Sequence, residues 1–405
     1  MESAECAGLD YASIARSSHD KRRVVNIQNA QNVEILHSDV YTATIFAVPR
    51  SLQNVSSYCP FISGPDGRGF RFCDVLRAQS WQNGSRRMAM HVIMQRCAFF
   101  DRGRQWMGGT FDRNSFIVAA HINSVPRFHG QNLQKHEELG MGLSPYSCEA
   151  QAHFWRTAQY VLTLLDVIPS SSPVVVCANR HLTVLWDSLS IERSRLLPFD
   201  SSATYFARRL YSVVPSPYGP HGRDGGEPCS RQSFTRLQSH LLAAFRAPTQ
   251  RDIILLISRG DRGTRRCSTQ LALLSALRRV FEPAFQVVEF VGTHRQLANI
   301  NSRTERLVDQ ANNARAFRRA RLIVGPHGGA FMNLVYAQPR TPVIEIGYYD
   351  ISRRRGMPFP PYYMLAAHGF GLQYWLVLSK GTYTGTIACD VNLVVQTARV
   401  ALNMQ

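Results

Sequence analysis

The residues of this chain best suited to hold an anion follow an apolar run that begins at Leu322. The run is rich in β-branched side chains, and a glycine-rich step then leads into a second apolar segment. This order predicts a strand, a tight turn and the start of a helix. Backbone N–H groups and the positive end of a helix dipole both favour a phosphate at such a junction. The candidate phosphate-binding residues are Pro326, His327, Gly328, Gly329 and Ala330.

Three residues of this stretch have individual predicted roles. His327 can donate a hydrogen bond to a ligand, and the alternative is a histidine that only stabilises the turn. A side chain at Gly328 is expected either to strain a backbone with positive φ or to block the phosphate. Asn333 is expected to make a hydrogen bond that shapes the turn. A second Gly-Pro-His-Gly run, at 219–222, lacks a long strand before it and a helix after it, and is predicted to be a loop.

Two further strand-like runs carry polar groups. The run after Arg251 ends in Ser258 and Arg259, and the pair Arg265 and Arg266 follows shortly afterwards; another short run, at 341–346, contains Glu345. Parallel α/β sheets bind ligands at the carboxyl ends of their strands. Arginines there clamp phosphate, and a carboxylate there can hold a ribose hydroxyl. A nucleotide is therefore the predicted ligand, and the alternative for Glu345 is a surface acid.

The elements that must position these groups alternate along the chain. Apolar periodicity predicts helices at 149–165, 233–245, 271–281, 304–320 and 391–403. Short apolar runs between them predict strands. This alternation predicts an α/β fold with a parallel sheet and right-handed crossovers. Residues 215–232 are rich in Pro and Gly and are the predicted linker or loop.

The order of these motifs resembles glycosyltransferase family 61. The resemblance rests on Ile-Ser-Arg ending at Arg259, the arginine pair, Gly-Pro-His-Gly-Gly-Ala with Asn333, and Val-Ile-Glu-Ile around Glu345. It is strong over 251–346 and extends back to about residue 173. Two positions depart from the family pattern: Thr269-Gln270 replaces Asn-Glu, and Gly-Gly-Ala replaces Gly-Ala-Gly.

The resemblance implies a GT-B-type architecture of two Rossmann-like domains with an interdomain cleft. The expected organisation is a flexible N-terminus at 1–30, an acceptor-side domain at 31–245, a nucleotide-sugar-binding domain at 246–388 and a C-terminal helix at 389–405. It also implies an inverting transfer of a sugar from a UDP-sugar to a hydroxyl of a protein or glycan. The alternative is a catalytically silent member that binds a glycan or another partner.

An inverting transfer needs one base to deprotonate the acceptor hydroxyl. In the family pattern a histidine at the start of a helix is followed four positions later by an acid. The matching residues here are His153 and Thr157, so the acid is absent. His153 is the candidate base, or else a histidine satisfied in the core. The weaker candidates are Asp166, Asp187 and Asp200.

Charge on the departing diphosphate can be stabilised by a metal or by fixed cations. The sequence contains no Asp-x-Asp, and Asp252 and Asp261 stand singly on either side of the strand that ends at Arg259. We therefore predict that arginines and the glycine turn supply the positive potential, with no divalent metal and no other cofactor. Walker-type and kinase motifs are absent, which argues against a kinase.

Composition limits the partners. The net charge is +18, and all but three of the 46 basic side chains are arginines, which favours ordinary surface charge and acidic ligands. No segment alternates basic and aromatic residues, so a nucleic-acid partner is not expected. Nine cysteines without Cys-x-x-Cys argue against a metal cluster.

The resemblance implies the lumen of the secretory pathway, either the Golgi or the endoplasmic reticulum. In that compartment the early cysteines are candidates for disulfides, with small buried side chains as the equal alternative. These are Cys59, Cys73, Cys97 and Cys148. Residues 1–23 are polar, and no apolar stretch of about 20 residues occurs, so the expectation is that the start of the protein is missing.

Overall fold

The protein has an α/β fold, as predicted, in which helices are combined with sheets that contain parallel strands. The computed structural model describes residues 33–44, 61–63, 69–71, 85–100, 133–142, 154–176, 183–200, 203–215, 231–259, 264–291, 303–349, 362–382 and 384–403. Packing divides the chain into two units. The first comprises Met1–Tyr41 and Met88–Leu237, and the second comprises Thr42–Arg87 and Gln238–Gln405.

The strands of the first half of the chain form a mixed sheet and a separate hairpin. They are β1 (Val33–Thr44), β2 (Phe61–Ser63), β3 (Gly69–Arg71), β4 (Ser85–Phe100), β5 (Leu133–Met141), β6 (Val174–Val176), β7 (Leu196–Pro198) and β8 (Thr204–Pro215). The mixed sheet has the order β1-β4-β8-β5-β6-β7, and among the described strands β2 and β3 form a separate antiparallel pair. Strand β8 is antiparallel to β4 and parallel to β5.

Helices α1 (Phe154–Val167), α2 (Thr183–Asp187) and α3 (Arg231–Ala244) accompany this sheet, with a short 3-10 turn at Arg193–Arg195. Helix α1 buries Phe154, Ala158, Val161 and Leu162, which recur every three or four residues and so share one face. The helices predicted at 149–165 and 233–245 are therefore confirmed, with ends shifted by a few residues. The boundary between the two units falls inside α3.

The second unit is built on a seven-stranded sheet. Its strands are β9 (Ile253–Ser258), β10 (Arg266–Cys267), β11 (Gln286–Val291), β12 (Ala320–Pro326), β13 (Pro342–Tyr349), β14 (Gln373–Gly381) and β15 (Thr386–Ala388), in the order β10-β15-β14-β13-β12-β9-β11. The five strands from β14 to β11 are parallel, as predicted, whereas β15 is antiparallel to β14.

The parallel strands are joined in the doubly wound manner. Their chain order is β9, β11, β12, β13, β14, and their order in the sheet is therefore 2-1-3-4-5. The helices are α4 (Gln270–Phe281), α5 (Arg303–Arg319), α6 (Tyr362–Gly369) and α7 (Val391–Ala401), and α4, α5 and α7 confirm three predicted helices. The direction of winding reverses between β9 and β12, which is where such sheets bind ligands.

The two central strands approach each other closely because of one glycine. A Cβ at Gly325 would lie 2.5 Å from Ile257 Cβ and 3.1 Å from Ile257 O. Strand β9 is buried along its length, and β12 is buried except at Arg321, in keeping with the apolar runs of both strands. Gly325 therefore sets the spacing of β9 and β12 just below their carboxyl ends.

The helix predicted after the glycine turn is confirmed, but its type differs from the commonest one. The apolar segment after the glycine turn is not an α-helix but a 3-10 helix, Gly329–Tyr336. Five of its eight residues are buried: Phe331, Met332, Leu334, Val335 and Tyr336. Packing on all sides, rather than one amphipathic face, therefore sets its shape. Residues 216–230, including the Gly-Pro-His-Gly run at 219–222, lie outside the described residues.

Among the described residues, no helix combines the length and the apolar character needed to cross a membrane.

Candidate functional site

The carboxyl ends of β9 and β12 lie side by side at the point where the winding of the sheet reverses. Ser258 is the last residue of β9 and is buried, and Arg259 follows it half-buried. Pro326 is the last residue of β12, and the N–H of His327 donates to Ile346 O at 3.0 Å. The structure therefore brings the predicted strand-end residues of these two strands together.

Arg259 rests on the glycine turn. Its Nη1 donates to His327 O at 3.2 Å. A Cβ at Gly328 would lie 3.1 Å from Arg259 Cζ and would overlap Nη1. The guanidinium thus occupies the space that a side chain at Gly328 would fill. A positive charge is in this way held against the turn that was predicted to bind phosphate.

The conformation of Gly328 corrects one expectation. Its φ is 169° and its ψ is 172°, which is extended backbone that any residue adopts. No positive φ demands glycine here. The absence of a side chain is needed instead because Arg259 lies there.

The rest of the turn is held by local hydrogen bonds. Phe331 N–H donates to Gly328 O at 3.0 Å, and Asn333 Nδ2 donates to Ala330 O at 3.2 Å. Asn333 therefore shapes the turn as expected. Gly329 and Ala330 are partly exposed, and so are accessible to a ligand. Because a 3-10 helix replaces the α-helix, these residues contribute local amide groups rather than a long helix dipole.

The far end of the 3-10 helix is fixed by side chains from two helices. Gln238 Nε2, from α3, donates to Val335 O at 3.1 Å and to Ala337 O at 3.0 Å. Tyr336 OH donates to Gln310 Oε1, from α5, at 3.1 Å. The segment that carries the turn is thus anchored at both of its ends.

The His327 side chain points into a buried polar network. Its Nδ1 contacts Glu345 Oε1, and Tyr374 OH donates to Glu345 Oε2 at 2.5 Å. Glu345 has no exposed surface, and His327 is 3% exposed. In the register of β13 and β14, Glu345 faces Leu376, so Tyr374 lies two residues away on the same face. A buried carboxylate needs such partners, and both of its oxygens have one.

Aromatic rings surround the imidazole of His327. The ring centroid of Tyr363, from α6, lies 5.2 Å away, and that of Tyr348, from β13, lies 6.0 Å away. Phe331 lies 5.6 Å from Tyr363. These rings restrict the orientation of the imidazole.

The contact of Glu345 with a ribose stays a prediction. The structure gives this carboxylate two intramolecular hydrogen bonds and no exposed surface. Its observed interactions are with the residues that shape the turn. Three tyrosines that complete this network were not identified from the sequence, because none of them is part of a motif: Tyr348, Tyr363 and Tyr374.

Arg265 and Arg266 lie at another part of the same sheet edge. Arg266 is the first residue of β10, and Arg265 directly precedes it. In the sheet, β10 is the fourth strand away from β12, which corresponds to a distance of about 19 Å. Arg265 has a φ of 56°, and its N–H donates to Gly385 O. The structure does not make these arginines neighbours of the glycine turn. Their contact with a donor stays a prediction.

The segment that carries this arginine pair is fixed to β15. Ser268 N–H donates to Ile387 O at 2.9 Å, and Thr269 Oγ1 donates to Cys389 O at 2.8 Å. A disulfide joins Cys267 to Cys389. Thr269, one of the two departures from the family pattern, therefore has a structural role in anchoring this segment.

The two cysteines of this disulfide are not among the four candidates named from the sequence. Cys59, Cys73 and Cys148 lie outside the described residues, and the side chain of Cys97 is not described. Sequence spacing offered no signal for Cys267 and Cys389, because they meet only through the pairing of β10 with β15.

The sequence suggested that Asp252 flanks the end of β9 that carries Arg259, and the structure does not bear this out. Asp252 precedes the strand and so lies at the opposite edge of the sheet, where Arg319 Nε donates to its Oδ1 at 2.8 Å. This hydrogen bond, and then the charge of Arg319, lower the pKa of Asp252 despite partial burial. Asp261 lies outside the described residues. Within the described ranges, no group of three or more His, Cys, Asp or Glu side chains could hold a metal ion.

The candidate bases belong to the first unit. His153 lies outside the described residues, and Thr157, four positions later, is buried in α1. Asp166 forms an ion pair with Arg236, and Asp187 forms one with Arg193 at 2.9 Å. The backbone N–H of Asp200 donates to Tyr205 OH at 2.7 Å. The two ion pairs supply structural roles for Asp166 and Asp187, and the identity of the base stays a prediction.

Comparison with known proteins agrees with the position of these motifs. The model of the family Glycosyltransferase 61 matches residues 125–344, which is more than half of the chain. The match includes β9, the arginine pair, the glycine turn and the start of β13. Comparison with curated proteins gives no match.

Proposed function

The chain belongs to glycosyltransferase family 61, and from this premise we propose that it transfers a sugar from a UDP-sugar to a hydroxyl group of a protein or glycan. We propose further that the anomeric configuration inverts in a single displacement. Membership of the family carries the general activity, with a sugar donor and a glycan acceptor. The nucleotide, the stereochemistry and the acceptor hydroxyl belong to the proposal.

The observation that best supports a nucleotide donor is the position of Arg259. It lies at the carboxyl end of β9, against Gly328, at the point where the winding of the sheet reverses. A guanidinium there can bind a diphosphate that approaches the partly exposed Gly329 and Ala330. Ser258 and Asn333 complete the proposed donor site around the turn.

Transfer would then proceed through charge that develops on the leaving diphosphate. Arg259 and the amide groups of the turn stabilise that charge without having to reorganise. We propose that this arrangement replaces a divalent metal. Deprotonation of the acceptor hydroxyl requires a base, for which His153 is the proposal.

A catalytically silent member that binds a glycan or a partner is the second candidate. It is favoured by Thr157, which stands where the family pattern has an acid after His153. Release of UDP from a UDP-sugar by the purified protein separates the two candidates. An enzyme turns over at least one donor of a UDP-sugar panel, whereas a silent member turns over none.

The finer organisation is part of the same proposal. A GT-B-type architecture, the domain limits at 31–245 and 246–388, and a place in the Golgi or endoplasmic reticulum lumen are all expectations of the family resemblance. Contact of Arg265 and Arg266 with the donor remains a proposal of the same kind. For Glu345, which is buried and paired with His327 and Tyr374, we propose an indirect role in place of the expected contact with the ribose.

Two arginines on either side of β9 provide a matched test of the donor site. Arg259 donates to His327 O at the carboxyl end, and Arg251 donates to Pro339 O at 2.6 Å at the amino end. Arg259→Ala should weaken UDP binding by about 1.5–3 kcal/mol, the range for a hydrogen bond to a charged group. Arg251→Ala should leave UDP affinity unchanged. Equal UDP affinity of wild type and Arg259→Ala by calorimetry would refute this placement.

A further inference from the structure

We infer that Glu345 and Tyr374 are positioning residues for the donor site: through His327 they hold the glycine turn, and with it the Arg259 guanidinium, in the geometry that binds a diphosphate. This inference rests on the proposed function, because it assumes that the donor binds at this turn. It assigns a role to Tyr374, which carries no motif in the sequence.

The basis is a continuous chain of hydrogen bonds along the carboxyl edge of the sheet. Tyr374, in β14, donates to Glu345 in β13, and Glu345 contacts Nδ1 of His327, directly after β12. The backbone of His327 then accepts from Arg259, directly after β9. Four adjacent strands are thereby linked in one line that ends at the guanidinium.

The chain fixes His327 through its side chain and its backbone together. Its N–H donates to Ile346 O at 3.0 Å and its C=O accepts from Arg259, while the ring is held by Glu345. A rotation of the ring would have to carry the backbone with it or break the contact with Glu345. If the contact with Glu345 is lost, the ring no longer holds the backbone of His327 in place, and the carbonyl that accepts from Arg259 can shift.

The burial of Glu345 and His327 indicates that they act on a ligand indirectly. Glu345 has no exposed surface and His327 is 3% exposed, whereas Arg259, Gly329 and Ala330 are partly exposed. The partly exposed groups are the ones that can touch a ligand in this structure. The buried pair therefore acts on the ligand through the groups that it holds.

We propose the matching tautomer of His327, with the ring proton on Nδ1. Glu345 is an acceptor for Tyr374, and as a carboxylate it accepts from Nδ1–H of His327 as well. In Glu345→Gln the side-chain oxygen can still accept from Tyr374, but the amide N–H then donates to Nδ1. The neutral imidazole must therefore shift its proton to Nε2, as it does when the carboxylate beside a histidine is replaced by an amide.

The test uses two variants and a matched control. Tyr374→Phe removes only the hydroxyl that donates to Glu345, and Glu345→Gln reverses the donor pattern at His327. Tyr211→Phe is the control, because it also removes a tyrosine hydroxyl that donates to a carboxylate, that of Glu138, but on a strand of the first unit. For each protein we would measure melting temperature, UDP affinity by calorimetry, and the KM values for donor and acceptor.

We expect Tyr374→Phe and Glu345→Gln to weaken UDP affinity by about 5- to 20-fold and to raise the donor KM in parallel, with the acceptor KM unchanged. The UDP affinity of Tyr211→Phe should stay within about twofold of wild type. Nitrogen-15 spectra, with His327 assigned by its loss in His327→Gln, should show Nδ1–H in wild type and in Tyr374→Phe. They should show Nε2–H in Glu345→Gln.

UDP binding by the wild-type protein tests the proposed function, and UDP binding by the variants tests the positioning role. If wild type binds no UDP, the proposed donor site is wrong and the inference fails with it. If wild type binds UDP and both variants bind it equally well, the donor site stands and the positioning role is wrong. A purely structural role would also be recognised, since it would lower the melting temperature and the active fraction while the UDP affinity of the folded protein stayed the same.

Discussion

Replacement of Gly328 by alanine tests the contact between Arg259 and the glycine turn most directly. The new Cβ would overlap Arg259 Nη1, which is the end of a flexible side chain and can move away. The extended backbone at Gly328 accepts alanine without strain. We therefore expect the variant to fold, with the guanidinium displaced from the turn.

The two expected effects differ in size. Loss of the hydrogen bond from Arg259 to His327 O costs about 0.5–1.5 kcal/mol of folding free energy, because the freed guanidinium regains water. Replacing glycine offsets about 0.4–1 kcal/mol of this through the unfolded state. Stability should thus change by less than about 1 kcal/mol. A displaced Arg259 no longer meets the diphosphate, which removes about 1.5–3 kcal/mol of binding free energy, or roughly 10- to 150-fold in Kd for UDP.

Gly325→Ala is the matched control, because the same substitution there has the opposite outcome. Its Cβ would meet Ile257 Cβ at 2.5 Å and Ile257 O at 3.1 Å, in the middle of the packed sheet. Overpacking of this kind costs about 1–3 kcal/mol. Denaturant unfolding should show a clear loss of stability for Gly325→Ala and almost none for Gly328→Ala, while calorimetry should show weaker UDP binding for Gly328→Ala.

Two results would refute this reasoning. If Gly328→Ala binds UDP as tightly as wild type, Arg259 either does not bind the donor or does not lie on the turn. If Gly328→Ala unfolds as easily as Gly325→Ala, the guanidinium cannot move away as proposed.

Two further predictions concern acidic residues. Sugar transfer should survive excess EDTA, because fixed cations are proposed to replace a metal; complete loss of activity with rescue by Mn²⁺ would mean that a metal ligand had been missed, and Asp261 would be the first residue to replace. Asp252→Asn should destabilise the protein by about 0.5–1 kcal/mol at pH 7, because the variant loses the pairing with Arg319. Since that pairing lowers the pKa of Asp252 below the ordinary value of 3.8, its stabilisation is present above pH 3.8 and disappears as the pH falls through the lower, folded value. Urea unfolding of wild type and Asp252→Asn from pH 7 to pH 2 would check this, and a difference in unfolding free energy that stays constant over the whole range would contradict it.

The residues at the ends of β9 and β12 could be placed from the sequence because local patterns determined them. Unbroken apolar runs predicted buried parallel strands, and the carboxyl ends of parallel strands share one edge. Ser258, Arg259 and His327 were therefore predicted at the same edge, and the structure brings them together. Helices α4 and α5 were found for a similar reason, since their ends lie within two residues of the predicted limits.

The remaining features depend on strand order and on packing, which no local pattern encodes. Arg265 and Arg266 follow Arg259 closely in sequence, but β10 pairs with β15 and is the outermost strand of the sheet, far from β9. Tyr374 meets Glu345 only because β14 lies beside β13 in a particular register. The helix after the turn was predicted, but its 3-10 type was not, because its apolar sequence carries no information about the surfaces that enclose it.

The disulfide between Cys267 and Cys389 closes a covalent loop of the chain within the second unit. The two cysteines are 122 residues apart, and the chain between them includes α4, α5, the glycine turn and both Glu345 and Tyr374. A single protease cut anywhere along that loop would leave the two fragments tied together. A nicked protein of this kind would migrate as one species on a gel without reductant and as two with it. The C-terminal helix α7, which begins just beyond Cys389, would remain attached to the body of the unit even after the cut.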